Sequence, residues 1–113
     1  MGIDMANGKR ISAGNSIPHT PGSALTAGDV VVQVDLVGVA TEDIAASELG
    51  ALAVTGIFEL PKESGVAHAV GDILYWDDSG NELTKTASGN KAFGKCVEAA
   101  ASGATTSRAL LLQ

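Results

Sequence analysis

The apolar residues of this chain occur in short runs that turn-forming residues interrupt. The runs "VVVQV" (30–34), "LVGVA" (36–40) and "ILYW" (73–76) are rich in β-branched, aliphatic or aromatic residues, and an Asp lies beside each of them. Runs of this length and composition are typical of β-strands rather than helices. The sequence therefore predicts an all-β fold in which no helix is longer than about three turns.

Turn residues divide the rest of the chain into further strands. Residues 77–81, "DDSGN", predict the turn of a hairpin. From Leu52 to Leu60 every second residue belongs to one mainly apolar set, which predicts a single strand. Pro61 ends this strand, because proline has no amide hydrogen to donate to a neighbouring strand. Thr41 is a candidate N-cap for a single helical turn. With "KAFGKCVEA" (91–99) and "TTSRALLL" (105–112), the chain has about eight short strands, which favours a small β-barrel or β-sandwich.

The core of this fold must be built largely from small side chains. Aromatic residues are only 4% of the chain, whereas Ala, Val and Gly are abundant. Burying a large apolar side chain stabilises by about 1.5–3 kcal/mol, and Ala contributes far less, so a marginal monomer that gains stability by assembling is expected. The residues that we predict to lie in the core or at a subunit interface are Phe58, Leu60, Leu74 and Trp76.

The N-terminal part differs in composition from the remainder of the chain. It is rich in Gly, Ser, Asn and Thr, and Pro18 and Pro21 bracket a His-Thr pair. Such a segment cannot form a core alone, so we predict an extended arm over residues 1–22 and a β domain over residues 23–113. Its sparse apolar and basic residues can be buried only against a partner. The residues expected to make such contacts are Ile3, Met5, Lys9, Arg10, Ile11 and Ile17.

Charge and hydropathy exclude two classes of partner. Residues 29–82 carry eleven acidic side chains and one base, Lys62, which with Glu63 predicts a polar strand exit after Pro61. The seven scattered positive charges of the chain do not form the cationic face that nucleic acid requires. The apolar runs are shorter than the ~20 residues of a membrane span. A single cysteine, Cys96, and the lack of a signal-peptide pattern indicate folding in a reducing cytoplasm.

Three motifs could carry chemistry, and each departs from the pattern that the chemistry needs. "GNKAFGKC" (89–96) follows G-x-x-x-x-G-K, but Cys96 stands where a nucleotide-binding loop has the Ser or Thr that holds magnesium. "DDSGNE" (77–82) lacks the Gly and Glu positions of a calcium loop. His19 and His68 have no partner at ligand spacing, and we expect His68 in a loop or hairpin. The sequence therefore predicts no enzyme, cofactor or metal site.

Several segments together resemble the tailed-phage capsid cement, or decoration, protein family. The most specific matches are "FELPK" (58–62) and "GD" at 71–72 followed by "YWD" (75–77), and the similarity covers about residues 11–113. Some members of this family carry a label as RecA-like recombinases, but a recombinase needs an intact phosphate loop and a far larger core. The other segments that carry the resemblance are "AGDVV", "LVGVA", "LTKTASGN", "FGKCVEAA" and "RALLL".

The resemblance implies a structural virion protein that is made in the host cytoplasm and binds the outer surface of the mature phage head. It implies a homotrimer that braces neighbouring subunits of the major capsid protein, with no cofactor. Two alternatives remain open at this point. One is a β-rich interaction module of a tail or fibre, and the other is a small nucleotide-binding enzyme built on residues 89–96.

Overall fold

A computed structural model describes Gly8 and residues 11–113. The described chain forms nine β-strands and no helix, so the all-β prediction is confirmed. Within this part of the chain, no segment has the helical length and apolarity that crossing a membrane requires. The strands are β1 (Ser16–His19), β2 (Val30–Gln33), β3 (Leu36–Ala40), β4 (Gly50–Ala53), β5 (Gly56–Pro61), β6 (Ile73–Asp77), β7 (Glu82–Thr84), β8 (Lys91–Glu98) and β9 (Thr106–Leu111).

The strands form two antiparallel sheets, and residues 11–113 contain no closed barrel. One sheet has four strands in the order β1-β4-β3-β2, and the other has five in the order β5-β9-β8-β6-β7. In each sheet a contact joins the two edge strands. Gln33 Nε2 of β2 lies 2.8 Å from His19 Nδ1 of β1, and a parallel bridge joins Lys62, just after β5, to Leu83 of β7.

The two sheets share one main core, which is the arrangement of a sandwich. Val37 and Val39 of the four-stranded sheet pack in the same cluster as the buried residues of the five-stranded sheet. Leu74 and Trp76 are both buried on one face of β6, as the alternation along this strand predicts. The other members of the cluster are Leu60, Leu83, Phe93, Cys96, Ala109 and Leu111, with Val30, Val32 and Phe58 partly buried against it.

The prediction of one continuous strand from Leu52 to Leu60 is wrong. β4 ends at Ala53 and β5 begins at Gly56, and the two strands belong to different sheets. Gly56 has a φ of 128°, which side-chain-bearing residues rarely adopt, so the chain changes direction at this residue. The alternation of apolar residues runs through the break, because both strands bury alternate side chains, and it therefore gave no sign of the change of sheet.

The helical turn expected after Thr41 is also absent from the structure. Ile44 instead forms an isolated bridge with Leu25. The carboxylate of Asp43, two residues after Thr41, accepts a hydrogen bond from the amide of Ala27 at 2.9 Å. A bond to a distant loop satisfies this side chain, so the local N-cap pattern is overridden by tertiary contacts.

The described part of the predicted arm lies partly on the four-stranded sheet. β1 pairs with β4, and Ile17, opposite Leu52, is half-buried against a small second cluster of Ala40, Ile44 and Leu52. Ile11 is 85% exposed. The other predicted contact residues of the arm, Ile3, Met5, Lys9 and Arg10, lie outside the described residues, so the arm as a unit stays a prediction.

Candidate functional site

A hydrogen-bonded polar cluster, which we call the Glu63 cluster, lies where the edges of the five-stranded sheet meet. Glu63 Oε2 lies 3.1 Å from His68 Nε2 and accepts the Lys85 amide at 2.6 Å. Glu63 Oε1 accepts the Thr84 hydroxyl at 3.0 Å. The other ring nitrogen of His68 lies 3.1 Å from Ser107 Oγ. One carboxylate therefore joins the segment after β5 to β7 and, through His68, to β9.

The order serine, histidine and carboxylate is that of a hydrolase relay, but the surroundings differ from those of an active site. Ser107 and His68 are 3% and 1% exposed, and Ser107 lies within strand β9. A serine nucleophile must reach a substrate carbonyl and needs amide donors for the developing oxyanion. A hydroxyl enclosed in this way cannot reach a substrate, and the bonds of the cluster instead connect separate segments of the sheet.

Electrostatics favour the ionised form of Glu63. Burial raises the pKa of this carboxyl, but the hydrogen bonds from the Lys85 amide, His68 and Thr84 lower it by more, so the pKa falls below its ordinary value of 4.5. The ionised carboxylate is bonded at once to Thr84 of β7, to Lys85 just after that strand and to His68. Charge-assisted bonds of this kind are stronger than neutral ones, so Glu63 fixes the relative positions of these segments.

Lys62 extends the Glu63 cluster. β5 ends at Pro61 and polar residues follow it, as predicted, but the side chain of Lys62 points into the protein. Lys62 is buried, and its Nζ donates to the carbonyl oxygens of Glu63 and Ser102 at 2.7 and 3.3 Å. The backbone amide of Glu63 also donates to the carbonyl of Leu83 at 3.0 Å. An ammonium group can be buried here because carbonyl oxygens replace part of its water shell.

Sequence reasoning missed the Glu63 cluster, because its members are far apart in the chain. His68 and Ser107 are separated by 39 positions, and Glu63 and Lys85 by 22. His68 lies in the segment between β5 and β6, outside the named strands, as predicted, but it is fully enclosed there and forms an isolated bridge with Ala100. No spacing motif relates these residues, so only the sheet pairing could have revealed them.

The sequence motifs for nucleotide or calcium binding lie in ordinary sheet and turn structure. Most of the segment 89–96 belongs to β8, which runs between β6 and β9, and Cys96 is buried in the core. Asp77 Oδ1 accepts three bonds from Ser79 and Gly80 within its own turn. Across the described residues, no group of three or more His, Cys, Asp or Glu is placed to hold a metal ion.

One open pocket, of about 170 Å³, lies beside β4. Three carboxylates line it, those of Glu42, Asp43 and Glu48, together with residues 44–45 and 49–51. Asp43 is already bonded to the Ala27 amide. The residues that line this pocket include three acidic side chains and no basic one, so the pocket does not fit a phosphate or other anion.

The outer face of the five-stranded sheet carries an apolar row, which we call the outer row. Strand register places Ile57, Leu110, Lys95 and Ile73 side by side across β5, β9, β8 and β6. The two isoleucines are 62% and 56% exposed. An exposed row of large aliphatic side chains is typical of a protein interaction surface.

Beside the outer row, Arg108 bridges two carboxylates on the same face. Its Nε donates to Glu59 at 3.0 Å and its Nη1 to Glu98 at 3.2 Å. With Lys95, this part of the sheet has two basic and two acidic groups, whereas the whole chain has a formal charge of −6. The face around the outer row is thus locally balanced in charge.

Comparison with known proteins identifies the family of this chain. A model of the phage cement protein family matches residues 11–111, which include all nine strands. No curated protein and no solved structure gives a significant match. The resemblance noted in the segments 58–62 and 71–77 is therefore confirmed by a match along nearly the entire described chain. This chain belongs to the phage cement protein family.

Proposed function

We propose that this protein binds the outer surface of the mature phage head and braces neighbouring subunits of the major capsid protein. The observation that carries the proposal is the match to the phage cement protein family over residues 11–111. That family is structural and is associated with the phage capsid, which supports a non-enzymatic role. The contact with the major capsid protein, the outer location and synthesis in the host cytoplasm are our own extension of it.

The side-chain contacts that join separate strands of each sheet support a mechanical role. A brace must carry load between its contacts without opening locally, and segments with few buried bonds open first. Here the Glu63 cluster joins β7, β9 and the segment after β5. In the other sheet, the Gln33–His19 contact joins the two edge strands. Both sheets therefore resist separation of their edges.

Stabilisation of the head would follow from mass action. A protein that binds only the expanded shell stabilises that state by RT ln(1 + [L]/Kd) at each site, where [L] is its free concentration. Many moderate contacts then shift the whole shell away from rupture. This mechanism needs no cofactor and no chemical step.

We also propose that the protein self-associates as a homotrimer through the outer row. The main core is built mostly from Leu, Trp and Phe side chains, not from small residues as the composition suggested. Self-association would instead add stability by burying Ile57 and Ile73, which are exposed in the single chain. The charge balance around Arg108 and Lys95 lets copies approach without the repulsion expected of chains with a charge of −6. The trimeric state itself rests on the resemblance to the family.

The N-terminal arm would add a second contact with the capsid or with a neighbouring copy. We propose that residues 1–10 contact the partner, with Lys9 and Arg10 meeting acidic groups on it. Deletion of residues 1–10 tests this without removing β1, which begins at Ser16. We expect weaker binding to heads and an unchanged melting temperature, and equal affinity would show that the arm is dispensable.

Fractionation of virions tests the proposal against a role in the tail or fibre. Purified particles are disrupted, heads and tails are separated on a density gradient, and the protein is quantified by mass spectrometry in each fraction. We expect the protein in the head fraction, at a constant ratio to the major capsid protein. Recovery with tails or fibres would refute the proposal.

A further inference from the structure

Val34 lies at the tip of the β2–β3 hairpin in a conformation that valine rarely adopts. The hairpin pairs Gln33 with Leu36 and turns through Val34 and Asp35. Val34 has a φ of 58° and is 83% exposed. Tight hairpins of this kind usually place Gly at a first turn position with positive φ, and a β-branched residue there is an outlier.

The positive φ of Val34 and the exposure of its side chain both reduce the stability of the free chain. A positive φ brings the branched Cβ of valine close to its own backbone, and glycine would avoid this conflict. The exposed side chain also gains nothing from burial within the described body. Strained residues of this kind are held by the surrounding structure and cluster at functional contacts.

The tip is held in place, so the Val34 side chain is presented rather than mobile. Asp35 Oδ1 accepts from Lys91 Nζ of β8 at 2.8 Å. The side chain of Gln113 bonds both the amide and the carbonyl of Val37, each at 2.6 Å. A contact residue that is fixed before binding loses little conformational entropy when the complex forms.

We propose that Val34 is an anchor that inserts into an apolar depression on the outer surface of the phage head. This inference rests on the proposed function and adds a contact residue to it. The neighbouring Asp35 side chain stays 85% exposed although its Oδ1 accepts from Lys91, so a partner with a basic residue at the rim of the depression fits this tip. A second copy of this chain fits less well, because the whole chain has thirteen acidic and seven basic residues and a formal charge of −6.

Variants of Val34 separate the anchor from the general effect of an exposed valine. Val34→Asn keeps a residue that tolerates positive φ and removes the apolar side chain. The matched control is Val70→Asn, because Val70 is 66% exposed and lies outside the named strands. Binding to expanded heads that lack the protein is measured by co-sedimentation, and the melting temperature of each free protein by circular dichroism.

We expect Val34→Asn to bind heads about tenfold more weakly, as loss of an anchor contact does. Its melting temperature should equal or exceed that of the wild type, and Val70→Asn should bind like the wild type. Wild-type affinity of Val34→Asn, or a lower melting temperature, would overturn the anchor while leaving the proposed function intact. Loss of self-association in Val34→Asn without heads would assign Val34 to a second copy and also overturn the proposal. Failure of the wild type to bind heads would instead refute the proposed function.

Discussion

Gly94 lets strands β8 and β9 approach more closely than a residue with a side chain would allow. An ideal Cβ at Gly94 would overlap the carbonyl oxygen of Leu110 and lie 2.8 Å from the amide nitrogen of Leu112. Both of these atoms belong to the backbone, so no side-chain rotation relieves the overlap. We therefore expect Gly94→Ala to push β8 and β9 apart.

The free-energy cost of Gly94→Ala depends on the contacts that are disturbed when β8 and β9 move apart. The Leu112 amide donates to the Phe93 carbonyl at 2.9 Å beside the site. Ala109 and Leu111 of β9 are fully buried in the main core. Overpacking costs about 1–3 kcal/mol where side chains can adjust, and a backbone collision has fewer means of relief, so we expect about 3 kcal/mol. For a domain of this size, that lowers the melting temperature by about 13 °C.

The assay is thermal and urea denaturation of Gly94→Ala, followed by circular dichroism. Gly103→Ala is the matched control, because no atom lies within 4 Å of its ideal Cβ and its φ is not positive. We expect the control to change the free energy of unfolding by less than about 0.5 kcal/mol. A melting temperature of Gly94→Ala within about 3 °C of the wild type would refute the close approach of the two strands.

Three further predictions concern the core, the Glu63 cluster and the outer row. Trp76→Ala should lower the free energy of unfolding by about 3–5 kcal/mol, because Trp76 is buried in the main core, and a loss below about 1 kcal/mol would contradict this. Glu63→Gln should destabilise the protein at neutral pH. Because the folded state lowers the pKa of Glu63, its stabilisation is present above pH 4.5 and is lost as pH falls through the folded pKa. Urea denaturation should therefore show the wild type and Glu63→Gln converging in acid, and a constant difference would contradict the assignment. Ile57→Lys should reduce the mass measured by light scattering, whereas Val70→Lys should not, and an unchanged mass for Ile57→Lys would exclude the outer row as the self-association surface.

The structural features that were predictable from the sequence are those that neighbouring residues determine. The β6–β7 hairpin follows from the short apolar run "ILYW" and from the turn residues "DDSGN", in which Asn81 has a φ of 53°. Burial of Leu74 and Trp76 follows from alternation along β6. The family resemblance also came from contiguous segments, which explains why it was recognisable without a structure.

The features that the sequence did not reveal depend on distant residues. Alternation alone could not separate β4 from β5, because the direction of the chain changes at Gly56 without a change in the pattern. Lys62 and Glu63 have the composition of a solvated segment, and their burial depends on carbonyl and amide groups brought in by other strands. The turn conformation of Val34, the proposed anchor, could not be predicted for another reason. A valine at the end of a strand-like run gives no sign that its φ is positive.

The measurement that tests the cement function most directly is the rupture temperature of heads during readdition of this protein. DNA-filled heads that lack the protein are titrated with it, and the temperature at which they release DNA is followed by dye fluorescence, alongside the bound amount. A saturable rise that ends when all sites are filled, with no binding to unexpanded precursor heads, is the predicted result. Heads that bind the protein to saturation and still release DNA at the original temperature would contradict the account.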